Sequence, residues 1–289
     1  MNTQNISPFQ RFLGLFTSGG GDHNKYRYGQ KHGHWIEFPE DGVFLSLEGE
    51  YVDGKKHGKW VERTAGGDVF EGLYVGGKRH DQWVLRYANG EVHEGPYVVG
   101  EPHGQWVERY ANGDVHEGTY VNGEQRGKWV ERAADGDVWE GPYVDGERHG
   151  QWFLRYADGE VHEGPYVGGK RHGQWVLRYA NGDVHEGPFM NGEVHGHWVE
   201  RHADGRVDEG SYKDGNGHGK WVLRYANGDV HEGPYVNGEQ HGKWVEQNAD
   251  GEVAEGRYVN GEAHGQWVWR KPDGTERKEE WRNGLPLPQ

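Results

Sequence analysis

The chain has 289 residues, a formal net charge of −15 and no cysteine. An acidic balance with no basic run excludes the electrostatic footprint of nucleic-acid binding and of simple adsorption to anionic lipid, and the lack of cysteine excludes disulfide staples and thiolate metal sites. Hydrophobic residues are only 33% while aromatics reach 13%, which excludes a thick core and predicts a thin one with regularly spaced aromatic side chains.

Residues 1–25 form a first segment. Ser7-Pro8 is a helix start, and Phe9, Phe12, Leu13 and Phe16 follow the i, i+3, i+4, i+7 spacing of one helical face before Gly19-Gly20-Gly21 stops it. A short helix is expected here. It would either cap the open edge of the first hairpin, since terminal repeats need caps and bare strand edges aggregate, or anchor the chain to a membrane or partner. Only Arg11 is basic in this stretch, so lipid insertion would depend on the aromatic side chains. No basic run followed by an apolar stretch and a cleavage site opens the chain, and no apolar run approaches ~18 residues. A cytoplasmic location is therefore the expectation.

From residue 26 the chain is periodic. Trp60, Trp83, Trp106 and their successors to Trp267 recur every 23 residues, with Trp35 leading them by 25. A period of that size, held through about eleven units, predicts a repeat architecture over residues 26–284: an all-β, elongated single-sheet solenoid of antiparallel β-hairpins. At strands ~4.8 Å apart and two per repeat, eleven hairpins would span roughly 100 Å. One repeat runs from Trp83 to Gln105, with short apolar and polar runs split by Asn89-Gly90 and by the Val99-Gly100 turn.

Comparison among repeats predicts the register. Val84, Arg86, Val92 and Glu94 recur at their positions almost throughout, so period-two alternation should place them together on one face. A three-residue Ala88-Asn89-Gly90 loop, type I with Gly90 as a left-handed bulge residue, pairs Arg86 with Val92 and Val84 with Glu94, leaving Arg86 and Glu94 as diagonal neighbours. The other face carries the variable positions. Leu85, Glu108, Glu131 and Leu154 stand on one strand, with His93, His116, Trp139, His162, His185, Asp208, His231 and Ala254 on the other. The row His93, His116, Trp139, His162, His185 and His231 is expected to be exposed and to serve as the contact strip. At the C-terminus Lys278-Glu279 replaces Glu-Gly and Trp281 replaces tyrosine, which reads as a second cap before the proline-containing tail 285–289.

The segment Glu94-Gly95-Pro96-Tyr97 through Gly104-Gln105-Trp106, followed by Asn112-Gly113-Asp114, resembles the MORN repeat (membrane occupation and recognition nexus). The half-repeat Tyr26, Gly29, His32, Gly33, Trp35 already fits, so the resemblance covers about residues 26 to 284. Tryptophan stands where that family often has glycine, as in His241-Gly242-Lys243-Trp244. The resemblance implies an extended sheet of successive hairpins and roles in scaffolding, dimerisation or lipid recognition. It implies no catalytic residues.

A second histidine row, from His32 and His57 to His264, precedes the tryptophans by three, with Arg126 in its place before Trp129. Equivalent atoms in successive repeats should lie roughly 10 Å apart, too far to share one ion, so turn-stabilising hydrogen bonds are expected and no metal or other cofactor. No unit has the dense carboxylates of a calcium loop, and Ser18-Gly19-Gly20-Gly21 lacks the lysine of a phosphate loop. Every notable Glu and His is duplicated many times, which argues against a single active site. The expected function is a non-enzymatic scaffold binding a protein partner or a second copy of the chain. Peripheral membrane binding through the N-terminal aromatics, and glycan or small-ligand binding on the aromatic and carboxylate rows, are the alternatives.

Overall fold

A computed structural model describes residues 23–288. The N-terminal segment with Phe9, Phe12, Leu13 and Phe16, and the helix expected for it, lies outside the described residues. Chain contacts divide the molecule into two parts. One holds the described residues up to Gly113 together with Tyr120–Glu124, the other Asp114–Thr119 and the chain from Gln125 onward.

Among the described residues there are 29 strands and no helix. In the first part Lys55–Thr64, Val69–Val75, Lys78–Arg86 and Val92–Val98 pair in chain order, each antiparallel to the next. The second part repeats the pattern through Gly150–Arg155, Val161–Val167, Gly173–Arg178, Val184–Met190 and Gly196–Arg201. The expected register is found: Val84 faces Glu94, Leu85 faces His93 and Arg86 faces Val92. Tyr87 N donates to Glu91 O at 2.9 Å and Gly90 N to Tyr87 O at 3.0 Å. Gly90 takes φ +97°, the left-handed residue of the three-residue loop.

Proline sets where the ladder breaks. Opposite Pro96, Pro142, Pro165, Pro188 and Pro234 the following strand is split in two, as in Glu147–Arg148 and Gly150–Arg155. Where the same position holds Leu73, Ser211 or Arg257, the strands Lys78–Arg86, Asn216–Arg224 and Glu262–Arg270 run on unbroken. Proline has no N–H for the ladder, so the partner loses a bond at that step. The turns are also tied to one another. Asp137 Oδ1 accepts from Ala157 N at 2.8 Å and Asp229 Oδ1 from Ala249 N at 2.7 Å, so an aspartate at this position links its hairpin loop to the next.

The core is a ladder of aromatic rings rather than a layer between sheets. Trp83, Trp129, Trp152 and Trp244 have no exposed surface. These four indoles lie flat over a glycine of the preceding strand and donate Nε1–H to the carbonyl of the residue after it, as Trp175 does to Pro165 O at 3.0 Å. Tyrosines fill the spaces edge-on. From Trp35 to Tyr120 the ring centroids follow at 5.1 to 6.0 Å. From Trp129 to Trp267 they follow at 5.1 to 6.1 Å. Each such contact is worth about 1 kcal/mol beyond the area it buries. Arg148 and Arg171 cover the outer side of the ladder, their guanidinium carbons 4.5 Å from the centroids of Trp152 and Trp175.

Candidate functional site: two faces and a break in the repeat

Alternation along the strand puts Trp83, Leu85 and Tyr87 on one face and Val84 and Arg86 on the other. The variable positions therefore share the tryptophan face, and the expected exposed strip is corrected. Leu85 and Glu131 are each 6% exposed, Asp208 4% and His162 8%. His93, His116, Trp139, His185 and His231 are all partly buried. The reason is parity. A residue two positions from a tryptophan that must leave water follows it into the same shelter, whether it varies among repeats or not.

On this face histidines sit between tyrosine rings. His93 contacts Tyr87 and Tyr110 at 5.2 and 5.4 Å, and His162 contacts Tyr156 and Tyr179 at 5.0 and 5.5 Å. Burial, and then the charge of Arg171, whose Nη2 lies 3.4 Å from Nδ1, push the His162 imidazole down to about 4. The folded-state value lies below the unfolded one of about 6.5, so the unfolded chain takes up this proton first as pH falls. The stability held by the neutral ring is complete above about pH 6.5 and is lost between there and about 4. We expect the melting temperature of the wild type to fall more steeply over that window than that of His162→Phe. Parallel pH profiles would refute this assignment.

Where a repeat has glutamate in place of leucine, the tyrosine twelve residues on supplies a hydroxyl. Tyr120, Tyr143, Tyr212 and Tyr258 donate to Glu108, Glu131, Glu200 and Glu246 at 2.6 to 3.0 Å. Burial and the bond to Glu131 push the Tyr143 phenol up to about 12. Where leucine stands at 177, the twelfth residue is Phe189, which has no hydroxyl to satisfy.

The opposite face is open to water. Arg109 meets Glu94 at 3.2 Å, Arg155 meets Glu140 at 3.1 Å and Arg178 meets Glu163 at 2.7 Å. The expected diagonal partner is corrected here, because Arg86 pairs with Glu71 of the preceding hairpin at 3.4 Å rather than with Glu94 of its own. Such half-exposed pairs contribute about 0–1 kcal/mol each and chiefly set the charge pattern. Beside them stand exposed aliphatic side chains, among them Val75, Val98, Val144, Val167, Met190 and Val236. Two of the histidines preceding tryptophan reach residues of the next turn. His103 Nδ1 accepts from Asn122 N at 3.4 Å, and His195 approaches Asp214 at 4.0 Å.

In the repeat that begins at Trp198, three neighbouring positions depart from the usual residues together. His202 replaces the tyrosine of Tyr179 and Tyr225, Arg206 replaces an acidic residue, and Asp208 replaces the histidine of His185 and His231. His202 Nδ1 lies 3.5 Å from Asp183 Oδ2, and its Nε2 lies 3.3 Å from Asp208 Oδ2. Arg206 Nε donates to Asp208 Oδ1 at 2.7 Å, and Ala203 N donates to Asp183 Oδ1 at 2.7 Å. The rings of His185 and His202 meet edge to face at 5.5 Å. Equivalent atoms of successive repeats are too far apart to share an ion, whereas these donors come from different positions of neighbouring repeats. Three departures falling together were the available signal, and sequence reasoning singled out Asp208 only as a variable position.

These features define a class, an antiparallel β-hairpin repeat protein with one sheltered and one open face. No family model matches the chain and no curated protein matches it. Among solved structures it is similar to the TCP10 domain of Danio rerio CPAP in complex with a peptide of Danio rerio STIL, at 15% identity over 76% of this chain and 97% of that one, with a TM-score of 0.41. The G-box domain of the microcephaly protein CPAP is 13% identical over 70% of this chain and 99% of that one, with a TM-score of 0.36. The SAS-4 (dCPAP) TCP domain of Drosophila melanogaster, in complex with a proline-rich motif of Ana2 (dSTIL), is 13% identical over 70% and 90%, with a TM-score of 0.31.

Proposed function

We propose that the chain is a non-enzymatic, MORN-like scaffold that binds a protein partner, or a second copy of itself, through the open face of its hairpins. The observation that carries this reading is the recurrence, on the face opposite the tryptophans, of aliphatic side chains 40–50% exposed beside rows of Arg–Glu pairs. Apolar positions ringed by charge suit a protein interface, and their periodic repetition suits an extended one. The tryptophan face supports the reading by exclusion, since its large rings are already covered by tyrosine, arginine and lysine. No helix among the described residues is long and apolar enough to cross a membrane.

The test substitutes exposed residues that the fold does not need. Val144→Asp with Val167→Asp is expected to leave melting within about 1 kcal/mol of wild type, as for surface positions. The same variant should lose self-association in sedimentation, or at least tenfold of the affinity for a partner recovered with wild-type protein. Unchanged association would sink the open-face reading. Flotation with phospholipid vesicles, lost on removal of residues 1–20, would favour the membrane alternative instead.

A further inference from the structure

We propose that Asp183, His185 and His202 form a binding site for a divalent transition-metal ion of the zinc type. One donor atom from each lies within 4.8 Å of the other two. Two ligands on a tetrahedral zinc at ~2.0–2.1 Å from the metal stand roughly 3.3 Å apart. The Asp183–His202 pair, at 3.5 Å, already has that spacing. The His185 donor stands within 4.8 Å of the other two and would close on them by rotation of its imidazole. Two imidazoles and one carboxylate suit a borderline cation better than calcium or magnesium, which prefer oxygen throughout.

The surroundings are those of a prepared site. His202 presents Nδ1 to Asp183 and Nε2 to Asp208, and Asp208 is itself held by Arg206. A carboxylate on the far nitrogen fixes the tautomer that leaves the near nitrogen free to ligate. Asp183 is oriented in the same way, by Ala203 N at 2.7 Å on Oδ1 and Asn181 Nδ2 at 3.0 Å on Oδ2. His185 Nε2 is shielded from solvent and has no hydrogen-bond partner. A second group, Glu200, His202 and Asp208, lies on the other side of the same imidazole. It is the weaker candidate, because Arg206 already neutralises Asp208 and Tyr212 already donates to Glu200 at 2.7 Å. Other repeats lack the second imidazole. At Tyr156–His162–Tyr179 a phenol ring stands on each side of the histidine.

The experiment titrates zinc chloride into the chelator-treated full chain by calorimetry, with cobalt(II) absorption as a second readout of coordination. His202→Tyr restores the residue found at Tyr179 and Tyr225, so its metal-free melting should match wild type. Asp183→Asn keeps the Ala203 contact and serves as the second variant should His202→Tyr melt early. His149→Gln, at an exposed histidine elsewhere, is the control. One equivalent of zinc bound at micromolar affinity or tighter, weakened at least tenfold by His202→Tyr and by Asp183→Asn but not by His149→Gln, is the expected result. No stoichiometric binding by wild type, or equal binding in all four proteins, overturns the proposal and leaves His202 as an imidazole bridging two carboxylates.

Discussion

Gly164→Ala is expected to destabilise the chain by about 3 kcal/mol, the upper range for forcing a methyl into a packed interior. A Cβ at this position would stand 2.3 Å from Cδ2 and 2.4 Å from Cγ of Trp175. The clash falls on the root of the indole rather than on a flexible end. The ring is held by Pro165 O, by Tyr166 and Phe189 at centroid distances of 5.2 and 5.8 Å, and by Arg171 above it. To admit the methyl, the tryptophan must lift off the strand and lose these contacts together. Trp175→Ala alone should cost about 3–5 kcal/mol. Because both changes remove one contact, the double variant should cost no more than Trp175→Ala, a non-additivity of about 2–3 kcal/mol. Gly169→Ala, with nothing near its added Cβ but φ +71°, should cost only about 1 kcal/mol. Denaturant melts of the four variants provide the check. Strict additivity, or a Gly164→Ala protein as stable as Gly169→Ala, would show that the indole does not need the bare backbone.

Glu131→Leu is expected to cost about 3–5 kcal/mol, although it introduces the residue that other repeats carry at this position. Glu131 is 6% exposed, accepts from Tyr143 at 2.6 Å and pairs with Arg148 at 2.7 Å. Removing the carboxylate alone leaves a half-buried guanidinium and a phenol without their partner. The chain contains its own remedy. Where leucine stands at 177, the positions corresponding to Tyr143 and Arg148 are Phe189 and Val194, and all three pack in one apolar cluster. The triple replacement Glu131→Leu, Tyr143→Phe, Arg148→Val should therefore return to within about 1 kcal/mol of wild type, since a well-packed apolar group commonly matches a buried ion pair. A triple variant as unstable as the single one would mean that the polar trio contributes something beyond mutual satisfaction.

The 23-residue period, the hairpin turns and the pairing of Arg86 with Val92 were legible in the amino-acid sequence. All three are local. Asn-Gly and Asp-Gly dictate the loop, the loop length dictates the register, and period two dictates which side chains stand together. Which of the two faces leaves water was decided only by tertiary structure. Among the described residues no second sheet covers the strands, and the buried face is the one on which Trp106 can lie against Gly95, a contact between successive hairpins. That contact carried Leu85, Glu131 and the histidine row inward and left the constant Arg and Val positions outside, reversing the expected strip. The same holds for the partner of Arg86. Glu71 and Glu94 are both diagonal to it, and the side chain turns to the preceding hairpin. The convergence of Asp183, His185 and His202 is likewise tertiary, because their spacing in the chain acquires meaning only when neighbouring strands bring different positions of the repeat to one point.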